Sequence, residues 1–212
     1  MSERPDEDED YRRANEKARN RKIARDKMLA TKTREKGLLI VHTGKGKGKS
    51  TAAFGLAVRA MGNGMRVGIV QFVKGKWETG ERHILEHFPE QVEIRTMGEG
   101  FSWETQDRAR DIRAAEAAWA ASREMIEACR MSPPKYDLIV LDELNIPLRY
   151  DHLPIADVVA CLAAKPEMLH VVVTGRNAKP ELIETADLVT EMTMIKHPFR
   201  EQGVKAQKGI EF

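Results

Sequence analysis

The sequence predicts an α/β protein built on a mostly parallel sheet with helices on both faces, and three observations carry that expectation. Short apolar runs of strand length alternate with helical stretches along most of the chain. A glycine- and lysine-rich loop separates the first apolar run from the first helical stretch of the body. A further apolar run ends in an acidic pair, Asp142-Glu143.

Taken in order, Leu38-Leu39-Ile40-Val41 reads as the first strand, and Ser50 to Met61 as the helix that follows the loop. Arg66 to Phe72 is the second strand, Gly80 to His87 a short helix, and Val92 to Met97 a third strand. Ile112, Ala115, Trp119, Ser122, Ile126 and Cys129 recur at spacings of three and four. That period predicts an amphipathic helix over Thr105 to Met131, which Pro133-Pro134 must stop. Leu138 to Leu141 is a buried strand, Ile155 to Ala164 a helix entered through Pro154, and Val171 to Thr174 another buried strand. Glu181 to Ala186 reads as a short helix, Leu188 to Ile195 as the last strand, and Lys196 to Phe212 as an irregular tail.

The 212 residues, 42% of them hydrophobic, are enough to bury one core, which excludes a disordered or fibrous chain. Charge divides unevenly. Residues 1–36 carry 12 Lys/Arg against 9 Asp/Glu, and residues 37–212 carry 23 against 24. The near-neutral body argues against nucleic acid or a membrane surface as partner. Residues 1–36 hold only nine hydrophobic residues, four of them Ala, so this arm is either disordered or a helix that borrows a surface. The expected organisation is therefore an arm, 1–36, and one α/β domain, 37–212. Cys129 and Cys161 lie far apart with no C-x-x-C, as expected of small core residues in a reducing compartment. Asp6 to Asp10 is acidic where a secretory leader is apolar, and no run reaches the ~20 residues of a membrane span. A cytoplasmic protein is the expectation.

Thr43 to Thr51 (TGKGKGKST) carries the sharpest chemical signal. A loop of this kind between strand and helix cradles phosphate: backbone N–H groups turn inward, the helix N-terminus adds its dipole, and a lysine adds a full charge. Gly44, Lys45, Gly46, Lys47, Gly48, Lys49, Ser50 and Thr51 are the expected ATP-binding residues, with the Ser50 hydroxyl offered to a divalent cation. Gly44 to Gly48 is one residue shorter than the generic G-x-x-x-x-G-K-[ST] loop. Asp142 and Glu143 sit where a carboxylate reaches such a cation directly or through water; Glu143 is favoured as ligand, with Asp142 behind it. His83-Ile84-Leu85-Glu86-His87 matches a zinc-protease pattern but lacks a long helix to carry it, and is read as a chance match. His42, His152, His170 and His197 form no metal-ligand spacing. Phe101-Ser102-Trp103 places two large aromatics in a glycine-flanked loop.

Together these motifs resemble the P-loop corrinoid adenosyltransferases, the cob(I)alamin/cob(I)yrinic acid a,c-diamide adenosyltransferases. The blocks run in one order: 43–55 (TGKGKGKSTAAFG), 70–75 (VQFVKG), 80–82 (GER), 101–106 (FSWETQ), 140–144 (VLDEL), 173–176 (VTGR), Lys196-His197 and 203–209 (GVKAQKG). Lys45 stands where some members carry asparagine, and the short loop fits the family.

The resemblance implies a RecA-like P-loop α/β fold and displacement of triphosphate from the 5′ carbon of ATP by cobalt(I). Lys49, Phe101 and Trp103 are the implied catalytic residues, and Phe101 and Trp103 the implied corrinoid-binding ones. The two aromatics would pack on the lower face of the corrin, exclude its axial ligand and ease reduction of cobalt(II). It further implies Mg2+, with Mn2+ as an alternative, a reduced flavoprotein or similar electron donor, and a homodimer whose arm folds over an active site. An ATP-hydrolysing or small-molecule kinase P-loop protein is the competing class, and predicts ADP rather than triphosphate. A nucleic-acid-binding module is a further competitor, against which the acidic run at residues 6–10 and the balanced body argue.

Overall fold

The computed structural model describes residues 7–73, 80–97 and 107–211. The chain divides into two units, residues 1–35 and 36–212. The first holds one helix, α1 (Glu7–Ala30), rich in helix formers and carrying an i,i+4 pair between Arg13 and Glu9 at 2.6 Å. Its apolar side chains Tyr11, Ile23, Met28 and Leu29 are exposed.

In the second unit, β1 (Leu39–Thr43) leads through the glycine loop to α2 (Lys49–Gly62), followed by β2 (Val67–Gln71), α3 (Gly80–Leu85) and β3 (Val92–Thr96). Then come α4 (Arg108–Ala128), β4 (Leu138–Asp142), α5 (Asn145–Arg149), α6 (Ile155–Ala163), β5 (His170–Thr174), α7 (Pro180–Thr185), β6 (Leu188–Glu191) and α8 (Pro198–Gln202). The six strands form one sheet in the order β3-β2-β4-β5-β1-β6, every neighbouring pair parallel. This is the RecA-like P-loop α/β architecture, with β5 inserted between the loop-bearing β1 and the acid-bearing β4.

Alternating side chains along each strand divide the core between the two faces. Leu39, Val41, Ile139, Leu141, Val171 and Val173 pack on one face with Trp119, Met125 and Ile126 of α4 and Leu162 of α6. Ile40, Ile69, Val140 and Val172 face the other way, onto Phe54, Ala57 and Met61 of α2 and Leu85 of α3. Burial on both faces is why these strands read as continuous apolar runs rather than alternating ones.

Several elements differ from expectation. The strand expected to reach Ile195 stops at Glu191, because its neighbour β1 ends at Thr43 and leaves nothing further to pair with in the sheet. The tail expected to be irregular carries α8, closed by Gly203 at φ +64°. The third is α5, whose Pro147 falls in the first turn, where a backbone N–H has no intrahelical partner to lose. The long helix is shorter than its apolar period suggests: Asp107 caps it by accepting from Arg110 N at 3.1 Å, and it ends before Cys129. Cys129 is buried and Cys161 half-buried. No helix among the described residues is long and apolar enough to cross a membrane.

Candidate functional site

A parallel sheet brings the C-terminal ends of all its strands to one edge, where ligands of such folds are held. Here that edge collects the glycine loop after β1, Gln71 at the end of β2, Asp142-Glu143 after β4, Thr174-Gly175-Arg176 after β5 and Met192 after β6.

The loop opens at Gly44, φ +95°, and closes at Gly48, φ +100°, where α2 begins. Its turn is braced from β6: Met192 N donates to Thr43 O at 2.9 Å, and Gly46 N donates to Met192 O at 2.6 Å. Lys49 is 5% exposed, and its Nζ donates to Gly44 O at 3.0 Å and Gly46 O at 2.5 Å. Burial lowers the Lys49 pKa, the Glu143 carboxylate opposes that shift, and Arg176 and Lys47 add to it. The lysine that the motif assigns to phosphate is therefore folded back over the loop, with two cationic neighbours acting on it. Lys47 pairs with the Glu211 carboxylate near the C-terminus.

Asp142 is 5% exposed and accepts a hydrogen bond from Thr174 Oγ1 at 2.8 Å, with the polar side chains of Ser50 and Gln71 nearby. Burial raises its pKa, and Thr174, Ser50 and Gln71 pull it back. Glu143 is held in the left-handed region at φ +61°, its backbone N–H donating to Thr174 Oγ1 at 2.8 Å. Burial first, and the Asp142 charge second, push its carboxyl up to about 7, against the attraction of Lys49 and Arg176. Gly175, at φ +126°, permits this crowding: a Cβ there would stand 2.8 Å from Asn145 Cβ and 3.1 Å from Glu143 Oε2. Asn145, fully buried, donates from Nδ2 to Gly175 O at 3.0 Å, and its Oδ1 is buried without a partner among the described residues.

Ser50 and Asp142, near enough for the serine hydroxyl to act on the carboxyl at the mouth of a phosphate loop, are a hydroxyl and a carboxylate, the hard oxygen donors a small divalent cation takes. No group of three His, Cys, Asp or Glu side chains converges among the described residues. A cation here would draw its remaining ligands from phosphate oxygens and water. The sequence points to Glu143 as ligand with Asp142 behind it; Asp142 lies near Ser50, and Glu143 lies within electrostatic reach of Lys49 and Arg176.

Gly44 to Thr51, Asp142 and Glu143 thus meet at one edge, whereas Phe101 and Trp103 lie outside the described residues. The His83 to His87 pattern is not carried on one helix: α3 ends at Leu85, and Glu86 accepts from Arg82 at 2.6 Å. Sequence reasoning assigned no role to Thr174, Gln71, Asn145 or Met192. Thr174 and Gln71 did carry a signal, since both are polar residues closing apolar strands. Beside the loop, α2, α3 and the C-terminal tail enclose a cavity of about 560 Å³, walled by Thr51, Phe54, Val58, Glu81, Ile84 and Ile210.

Fold and site together define a P-loop nucleotide-binding protein. Residues 35–212 match the family ATP:corrinoid adenosyltransferase BtuR/CobO/CobP, and the chain belongs to that family. It is 56% identical to a corrinoid adenosyltransferase of Sinorhizobium sp, the alignment covering 99% of this chain and 96% of the relative. It is 50% identical to one of Pseudomonas aeruginosa over the whole of both chains. Identity to the corrinoid adenosyltransferase CobA of Salmonella typhimurium is 44%, over 97% of this chain and 99% of the relative. The chain is accordingly a transferase, a corrinoid adenosyltransferase acting in cobalamin biosynthesis.

Proposed function

We propose that the protein transfers the 5′-deoxyadenosyl group of ATP to a cobalt(I) corrinoid, cob(I)alamin or a cobyrinic acid a,c-diamide-type intermediate, with release of triphosphate. The cobalt–carbon bond forms with the electron pair of cobalt(I), and the C5′–O bond breaks with its pair leaving on triphosphate oxygen. The observation that carries this reading is the loop itself: a glycine turn carrying Lys45, Lys47 and Lys49 leads straight into the N-terminus of α2, the place where a departing polyanion needs compensation. No phosphorus is attacked, so no residue has to activate water. The loop's task is to hold the triphosphate, fix the direction of the 5′ carbon and accept the developing charge.

Mg2+, or Mn2+ in its place, is proposed to be held by Ser50 and Asp142, with Glu143 nearby, and when bound supplies further neutralisation of the triphosphate. Phe101 and Trp103 are proposed to pack on the corrin and exclude its axial ligand, so that one electron from a reduced flavoprotein or similar donor takes cobalt(II) to cobalt(I). A cytoplasmic homodimer is part of the same proposal, and the arm is proposed to serve corrinoid turnover.

Anaerobic incubation with Mg-ATP and chemically reduced cobalamin tests the reading. The expected result is a light-sensitive alkylcobalamin appearing in step with triphosphate; ADP without cobalt alkylation would overturn it in favour of an ATPase or kinase.

A further inference from the structure

The three residues at the C-terminal end of the described chain bear on the nucleotide site. Gly209, at φ +80°, turns the chain back toward the loop. Ile210 N and Glu211 N both donate to Gln207 O, at 3.2 and 2.9 Å, closing a compact turn. Gly209, Ile210 and Glu211 form one wall of the 560 Å³ cavity beside Thr51 and Phe54. Ile210 is 83% exposed, yet the Glu211 side chain is only 20% accessible, because its carboxylate folds inward onto Lys47 Nζ.

Lys47 stands between Gly46 and Gly48, inside the segment whose N–H groups and ammonium charges would receive phosphate oxygens. Two lysines of this loop are therefore already engaged by the protein's own oxygens. Lys49 is bonded to carbonyls of its own loop, so releasing it moves only a side chain. The partner of Lys47 lies 164 residues away, so releasing it frees the tail. A carboxylate and a phosphate oxygen compete for the same ammonium, and a polyanion with several such oxygens wins where both have access.

We propose that Glu211 is an intramolecular competitor of the triphosphate group for Lys47. The C-terminal turn is a strap: it pairs with the loop when no triphosphate is held, lifts when Mg-ATP binds, and returns as triphosphate leaves. Glu211 is in this sense a positioning residue, acting on nucleotide binding and product release through Lys47. The proposal rests on the loop being the triphosphate site of the adenosyl transfer.

The test compares Glu211→Gln with the wild-type chain by calorimetric binding of inorganic triphosphate and Mg2+ in the absence of corrinoid, with thermal melting as a folding control. Removing the competitor is expected to tighten triphosphate binding about two- to fivefold, the range of an exposed ion pair. The KM for ATP should fall by a similar factor, and added salt should shrink the gain. In a Lys47→Gln background the same change should have no effect. Equal or weaker binding by Glu211→Gln, or an undiminished gain without Lys47, would overturn the strap. Corrinoid alkylation by the wild-type protein is scored separately, so failure of the strap and failure of the adenosyl-transfer reading give different results.

Discussion

Gly46→Ala isolates the way the nucleotide loop is supported. Gly46 needs no left-handed backbone, so the substitution acts by volume alone: a Cβ there would stand 2.7 Å from Met192 O and 2.9 Å from both Met192 C and Thr193 C. These are backbone atoms at the end of the β6 segment and cannot rotate away. The loop must lift, breaking the 2.6 Å bond from Gly46 N to Met192 O. Overpacking costs about 1–3 kcal/mol and the lost hydrogen bond about 0.5–1.5 kcal/mol, so the expected destabilisation is about 2–4 kcal/mol. For a chain of this size that is a fall in Tm of roughly 4–16 °C. Mg-ATP affinity should drop as well, because the loop N–H groups leave the positions that the β6 contact holds. Scanning calorimetry, ATP titration and hydrogen exchange at amide 46 read all three effects. Gly48→Ala is the control: φ +100° strains it, but its Cβ meets only Met192 Sδ, at 3.7 Å. Its amide 46 should stay protected. A Gly46→Ala protein with unchanged Tm, unchanged ATP affinity and a protected amide 46 would refute the account of the loop.

Thr174→Val removes the hydroxyl shared by Asp142 and the Glu143 N–H, and by leaving buried polar atoms short of a partner should cost about 1–3 kcal/mol and weaken Mg-ATP binding; an unchanged melting curve would contradict this. Glu93 lies away from the site: burial alone would raise its pKa, but hydrogen bonds from Tyr136, Lys135 and Arg95 bring it down to about 2. Its folded pKa lies below the unfolded value near 4.5, so it stabilises the fold above that pH and the contribution is lost as pH falls from 4.5 toward 2. Since its side chain is 35% accessible, Glu93→Gln should cost about 1 kcal/mol near pH 7 in chemical denaturation, with the two proteins converging in acid. Phe101→Ala with Trp103→Ala should depress turnover from cobalt(II) at least about tenfold while sparing turnover from chemically supplied cobalt(I), a reduction-step loss of about 1.4 kcal/mol or more; equal rates from cobalt(II) would remove the aromatics from that role. Deleting residues 1–36 should weaken corrinoid turnover more than ATP binding, as measured by calorimetry beside the alkylation assay.

Most of the framework was legible because buried parallel strands and amphipathic helices leave local patterns. Leu138-Ile139-Val140-Leu141 could hardly be other than an interior strand, and the glycine loop announced its own place between strand and helix. What stayed hidden depends on which strand ends lie side by side. Thr174 reaches Asp142 across 32 positions only because β5 is inserted next to β4. Met192 reaches Gly46 only because β6 flanks β1. The same neighbour explains the early end of β6: the apolar residues after Glu191 suited a longer strand, but β1 had no more backbone to offer. Pro147 hid α5 because its tolerance depends on falling in a first turn.

In the proposed transfer the bond broken in ATP is C5′–O rather than a phosphorus–oxygen bond. ATP carrying oxygen-18 at the bridge between C5′ and the α-phosphorus tests it directly, in an anaerobic reaction with cob(I)alamin analysed by mass spectrometry. All of the label should leave in triphosphate while the cobalt acquires an adenosyl group attached through C5′. Label retained in ADP, AMP or adenosine, with the corrinoid unalkylated, would contradict it.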